Sequence, residues 1–331
     1  MKKIVILAAL AAVAMTSCSK EGDNVSQTNA IEFRGVTEKT RASLVDGLGE
    51  FTNFFVHAYK EETTLPSTFD FMAGTPVHRT APLAATWTYS PVKYYPTDGS
   101  YVSFYAYAPI KDINMTNPVV AAGEVSFDYT VPADQSVSNT ATDLLVAAAP
   151  ELTAGTVAFV FDHALSAVNF TATSAAANPQ ELIFTISKAE IIEVFNEGTF
   201  TYDNTAAVVG EWTTSGSEVT YKSSVRNVAV AVGDSETLLS ANDYLMVLPQ
   251  DVTASSKVVI TYSVMDGAGD YIYNNEELEL DFPVTFTAFE MGKRYNFTFT
   301  FDTTSGSGLL NPIVFDVTTL NNWVDETESL D

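Results

Sequence analysis

Apolar and polar residues alternate with period two along much of this chain, as half-buried β-strands require. In RYNFTFTFD, Tyr295, Phe297, Phe299 and Phe301 fall on one face and Asn296, Thr298 and Thr300 on the other. KVVITYSVM places Val258, Ile260, Tyr262 and Val264 together, and AVNFTAT does the same with Val168 and Phe170. In ELELDFPVTF the alternation runs from Leu278 through Phe282 to Phe286 with Pro283 inside it. A proline has no N–H to give a neighbour, so this run predicts an edge strand or a bulge. SYVSFYAYAPI and TVAFVFDHAL are apolar at both parities, which predicts strands covered on both faces. The run ELIFTISKAEIIEVF, residues 181–195, fits helix or strand by period, and its β-branched residues favour strand. Turn chemistry at PTDGS (96–100), EGT (197–199) and MDGAGD (265–270) divides the runs. Many strands without alternating helices predict an all-β fold of antiparallel β-sandwiches.

Length changes this picture by dividing it. A chain of 331 residues suggests two domains, each with its own core, and we expect the junction near residues 162–166. The 21 Phe and 15 Tyr supply the large side chains such cores need. A formal charge of −25 repels nucleic acid and anionic lipid, which excludes both as partners of the folded surface. A single cysteine excludes internal disulfides, so stability must come from packing. The three histidines, His57, His78 and His163, are not spaced as metal ligands, and no nucleophile-elbow, P-loop or dinucleotide motif occurs. We expect no catalytic residue, no metal and no cofactor, hence no enzyme. DGAGD with Asn274 and Asn275 could offer oxygens to a cation, but a hairpin turn explains it more simply. Trp87, Tyr94 and Tyr95 offer either an exposed aromatic face for a glycan or cross-strand packing.

The first residues add a location. Met1-Lys2-Lys3 is followed by eleven apolar residues, IVILAALAAVA, and then by small ones. As a helix that run reaches only about 16 Å, too short to span a bilayer, and the pattern is that of a secretory signal peptide over residues 1–17. Thr16-Ser17-Cys18 resembles a bacterial lipobox, in which the cysteine becomes the first mature residue and carries lipid. Several acyl chains anchor a protein without a spanning helix. Residues 18–29 then read as a lipidated, polar tether.

Several segments, in order, resemble the fimbrillin family of lipoprotein pilins called type V, particularly its minor-fimbrillin-like branch. IEFRGVTEKTRASL (31–44) resembles its first strand followed by Thr-Arg-Ala, and TWTYSPVKYYPTDGSYVSFYAYAPI (86–110) its aromatic stretch. DLLVA (143–147) and TVAFVFDHALSAVNFTAT (156–173) resemble its middle. DYLMVLPQ (243–250), MGKRYNFTFTFD (291–302) and PIVFDVTTLNNWVD (312–325) resemble its end. The resemblance implies two tandem transthyretin-like antiparallel β-sandwich domains, here residues 30–163 and 164–331, after a lipoprotein signal peptide. It also implies a pilin precursor delivered to the outer membrane through lipid. A trypsin-like, Arg-specific protease then removes the first strand, and a strand from another fimbrillin subunit fills the groove left behind.

The residues suit that scheme. The first strand offers Ile31 and Phe33 on one face, and the tail 312–325 offers Ile313, Phe315 and Val317 at the same period. A donor strand restores both the backbone bonds and the side chains of a groove by β-augmentation. Donor and groove at opposite ends make a head-to-tail contact that propagates. Arg41, flanked by polar and small residues, is the candidate cleavage site, since Arg34 would lie inside the strand. The alternative is a non-polymerising tip or anchor adhesin that binds a glycan or host protein, its tail an ordinary last strand.

Overall fold

The structure, a computed structural model, describes residues 29–36, 52–61, 66–80, 86–108, 114–137, 143–175, 181–203, 209–240, 243–301 and 314–320. In the first half of the chain the strands are β1 (Glu32–Val36), β2 (Asn53–Lys60), β3 (Met72–His78), β4 (Val102–Ala108), β5 (Val119–Ala121), β6 (Glu124–Thr130), β7 (Leu145–Leu152), β8 (Thr156–Val160) and β9 (Asp162–His163). The middle supplies β10 (Ser166–Ser174), β11 (Ile183–Tyr202), β12 (Gly210–Lys222), β13 (Ala229–Val230), β14 (Ser235–Thr237), β15 (Leu245–Val247) and β16 (Gln250–Asp251). The end adds β17 (Lys257–Met265), β18 (Tyr271–Asp281), β19 (Ala288–Phe289), β20 (Arg294–Phe301) and β21 (Val314–Leu320). The protein is all-β, as its patterning predicts, and most pairings are antiparallel.

A five-stranded sheet, β3-β2-β4-β7-β9, is covered on both sides. Phe54, Val56, Phe104, Ala106 and Ala147 point into one core with Ile31 and Phe33 of β1 and Phe159 of β8. The opposite parity, Tyr59, Tyr105, Tyr107 and Val146, points into the larger core built with β10, β11, β17 and β20. This is why every residue of β4 is buried. β5 and β6 join the seven-stranded sheet β18-β17-β11-β6-β5, onto whose β11 strands β12 and β13 also pair. β10, β14, β15, β20 and β21 form the second five-stranded sheet, and β16 and β19 pair on their own. Two pairs of strands among the described residues run parallel, β1 with β8 and β10 with β20. Each joins strands far apart in sequence, as parallel neighbours must be.

Three expectations are corrected here. EGT is not a turn, because Glu197, Gly198 and Thr199 lie inside the 20-residue β11 and pair with β6 and β12. A β-carbon on Gly198 would come 3.0 Å from the Thr213 carbonyl oxygen and 3.1 Å from a Leu248 methyl, so close packing places the glycine there. TVAFVFDHAL is not one strand covered on both faces. Its residues 156–160 alternate exposed and buried, and the chain changes sheet at Phe161. Alternation beyond Asp281 also fails: β18 ends there, and Val284 is 97% exposed in the turn that follows Pro283. The edge position inferred from that proline does hold for β18. Residues 183–195 of the ambiguous run form strand, and MDGAGD is the β17–β18 hairpin turn, with the Asp266 carboxylate accepting from the Ala268 and Asp270 amides at 2.9 Å each.

Candidate assembly site

β1 lies in a slot whose floor is aromatic. Alternation turns Ile31 and Phe33 inward, at 2% and 4% exposure, and leaves Glu32 and Arg34 outside. The Phe33 ring meets Tyr89 at 5.0 Å, Phe159 at 5.9 Å, Phe104 at 6.0 Å and Phe54 at 6.2 Å, mostly edge-to-face. Burying such a side chain is worth about 1.5–3 kcal/mol. One edge of β1 pairs in parallel with β8, Glu32 opposite Thr156 through Val36 opposite Val160. No second strand pairs with residues 32–36 among the described residues.

The beginning of the segment is held differently. The Ile31 amide donates to the Lys93 carbonyl at 2.9 Å, and the Tyr95 amide donates to the Asn29 carbonyl at 3.0 Å. The Tyr89 hydroxyl donates to the Ile31 carbonyl at 2.9 Å and accepts from the Lys93 amide at 3.0 Å. Burial raises the Tyr89 pKa, which keeps that hydroxyl a donor. Sequence reasoning left Trp87, Tyr94 and Tyr95 open between an exposed face and cross-strand packing, and period-two patterning carries no signal for a turn that bonds a distant strand. Trp87 and Tyr95 are buried at 8% and 2% exposure, and of the three candidates Tyr94 alone stands out, at 55%. Trp87 and Tyr95 are thus core, with Arg79 lying over Trp87 at 4.9 Å.

At the other end of the chain, β21 forms the edge of the second five-stranded sheet. It runs antiparallel to β20, with Val317 opposite Phe297 and Phe315 opposite Phe299. Phe315 and Val317 are half-buried, while Val314, Asp316 and Thr318 are exposed. The Phe315 ring sits 5.5 Å from both Phe297 and Phe299. Ile31 and Phe33 therefore pack in one core and Phe315 and Val317 against the other. Cys18, Arg41 and Ile313 lie outside the described residues. Among the described residues no three His, Cys, Asp or Glu side chains are grouped to hold a metal ion.

Both the sequence and the all-β fold have known relatives. The fimbrillin-like family profile matches residues 40–323. The chain belongs to the fimbrillin-like family. Its fold is similar to that of a fimbrial protein from Bacteroides vulgatus, with a TM-score of 0.63 and 17% identity over 89% of this chain and 100% of that one. Candidate cell adhesion proteins from Bacteroides uniformis and Bacteroides ovatus have a similar fold, each with a TM-score of 0.51. They are 19% and 16% identical and cover 89% and 91% of this fimbrillin-like chain, and 99% of their own length in each case. No curated protein sequence matches it.

Proposed function

We propose that this fimbrillin-like protein is the precursor of a structural fimbrial subunit. Cys18 carries the lipid that delivers it to the outer membrane surface. Two transthyretin-like lobes, meeting near residue 163, form its body. An Arg-specific, trypsin-like protease cuts after Arg41, the segment ending there is lost, and a tail strand from a neighbouring subunit, 312–325 with Ile313, Phe315 and Val317, fills the slot of Ile31 and Phe33. The observation that carries this reading is the seating of β1. It buries two large side chains in a slot yet shares a ladder with only one strand, so its loss exposes a groove with an unpaired β8 edge and an apolar floor.

A second reading has its own observation. β21 is docked on β20 of its own chain, which suits a tip or anchor subunit that recognises a glycan or host protein and keeps its tail. Treatment of the purified precursor with a trypsin-like protease separates the two. The pilin reading expects a new N-terminus at Ala42 and detergent-resistant ladders on gels. A chain cut at Arg41 that stays monomeric at high concentration removes the stalk role and leaves the tip or anchor one.

A further inference from the structure

The 89–95 turn holds β1 in a way the β8 ladder does not. It holds the residues that lead into the strand, through the Ile31 amide to Lys93, the Tyr95 amide to Asn29, and the Tyr89 hydroxyl to the Ile31 carbonyl. The Asn29 side-chain amide adds a bond to the Tyr95 carbonyl at 3.3 Å. Tyr89 is the hinge of this arrangement, since one hydroxyl bonds both the strand and the turn, and its ring closes over Phe33. Residues 29–31 are thus held by the turn, and residues 32–36 by β8.

This asymmetry has a kinetic consequence. A strand paired along one edge can open residue by residue, whereas bonds that converge on one hydroxyl and one short turn must break together. It also has a positional one. A shift of one residue would carry Glu32 into the space of Phe33, and the turn's fixed donors and acceptors exclude that shift.

We propose that the 89–95 turn is a register clamp for the strand slot. Tyr89 is its positioning residue: it sets where an occupying strand begins, and its release limits how fast that strand leaves. The proposal rests on the strand-exchange reading and specifies how that exchange is regulated.

The test compares the full chain with Tyr89→Phe, which keeps the ring and removes only the hydroxyl. Tyr94→Phe, on an exposed neighbour, is the control. Hydrogen–deuterium exchange of residues 29–36 is measured first, together with the thermal midpoint of the whole chain. The expected result is exchange about five- to tenfold faster in Tyr89→Phe, the worth of one or two hydrogen bonds, with the control unchanged. Each chain is then cut at the 37–50 segment and offered a labelled synthetic peptide of residues 29–36, whose uptake is followed by fluorescence anisotropy. Uptake should accelerate in Tyr89→Phe by a similar factor. Unchanged exchange of residues 29–36, or uptake at the parent rate despite faster exchange, overturns the clamp. No uptake by either chain, with hydrogen exchange still altered, sinks strand exchange itself and the clamp's role in it, while the bonds remain as a structural feature.

Discussion

His57 shows how much one residue's surroundings decide. It lies in β2 at 5% exposure, its ring 4.7 Å from Phe69 and 5.9 Å from Tyr107, with neither ring nitrogen hydrogen-bonded. Across from it stands Gly74, where any β-carbon would come within 3.4 Å of the imidazole. Burial lowers the His57 pKa from 6.5 to about 4. Above pH 6.5 neither folded nor unfolded chain holds the proton. Between pH 6.5 and 4 the unfolded chain takes it and the folded one does not, so stability falls as pH falls, by roughly 3 kcal/mol across that window. Below about pH 4 both states are protonated and the loss stops growing. His57→Phe should flatten this part of the acid limb. Thermal midpoints of parent and variant from pH 7.5 to 4 test it, and an identical slope in both would rule out His57 as the source. A surface or hydrogen-bonded histidine is the usual expectation for an isolated His57, and nothing in FFVHAYK announces an aromatic cage assembled from β3, β4 and the loop before β3.

At the scale of elements, β11 organises the larger core. It pairs with β17 over its first half, β6 over its second and β12 along much of its length. At the break in register after Phe195, the Gln250 side chain stands in for a strand, accepting from the Phe195 amide and donating to its carbonyl at 2.7 Å each. The turn-like tripeptide EGT is legible as sequence only in the local sense of glycine chemistry. What places it inside a strand is contact with residues far along the chain, Trp212, Thr213 and Leu248. Gly198→Ala must push those neighbours aside and should cost about 1–3 kcal/mol. A urea titration checks this: the midpoint falls with an unchanged slope, and an unmoved midpoint would show that the site has room. A strand such as β20, whose outward residues Asn296, Thr298 and Thr300 are polar, was legible in full. β8 was not, because Ala158 and Val160 face outward and imitate a second buried face.

For the whole molecule, the central question is how two cores share one sheet. Tyrosines bridge the central five-stranded sheet to the seven-stranded one. The Tyr202 hydroxyl of β11 donates to the Ala106 carbonyl of β4 at 2.9 Å, and the Tyr59 hydroxyl lies 3.0 Å from that of Tyr105 and donates to the Gly123 carbonyl at 3.1 Å. Burial raises the Tyr202 pKa well above the usual tyrosine value, so the donor stays protonated. A sheet buried on both faces cannot lose one core without exposing the back of the other. We therefore expect one calorimetric transition, with calorimetric and van't Hoff enthalpies equal. Tyr202→Phe should lower stability by about 1 kcal/mol while keeping the transition single. Two resolved transitions in the parent would show that the cores unfold independently.

Period-two alternation, aromatic content and the lack of helical runs determined the all-β class by themselves, because each strand needs one apolar face wherever it lies. The same alternation marked Ile31, Phe33, Phe315 and Val317 as inward residues of the first and last strands. Only the tertiary structure decided which strand each one joins. That β1 runs parallel to β8, that the 89–95 turn grips its first residues, and that the tail lies on β20 all depend on backbone hydrogen bonds between distant segments. Every residue except proline offers the same N–H and C=O to such bonds, so no local pattern of side chains names the partner.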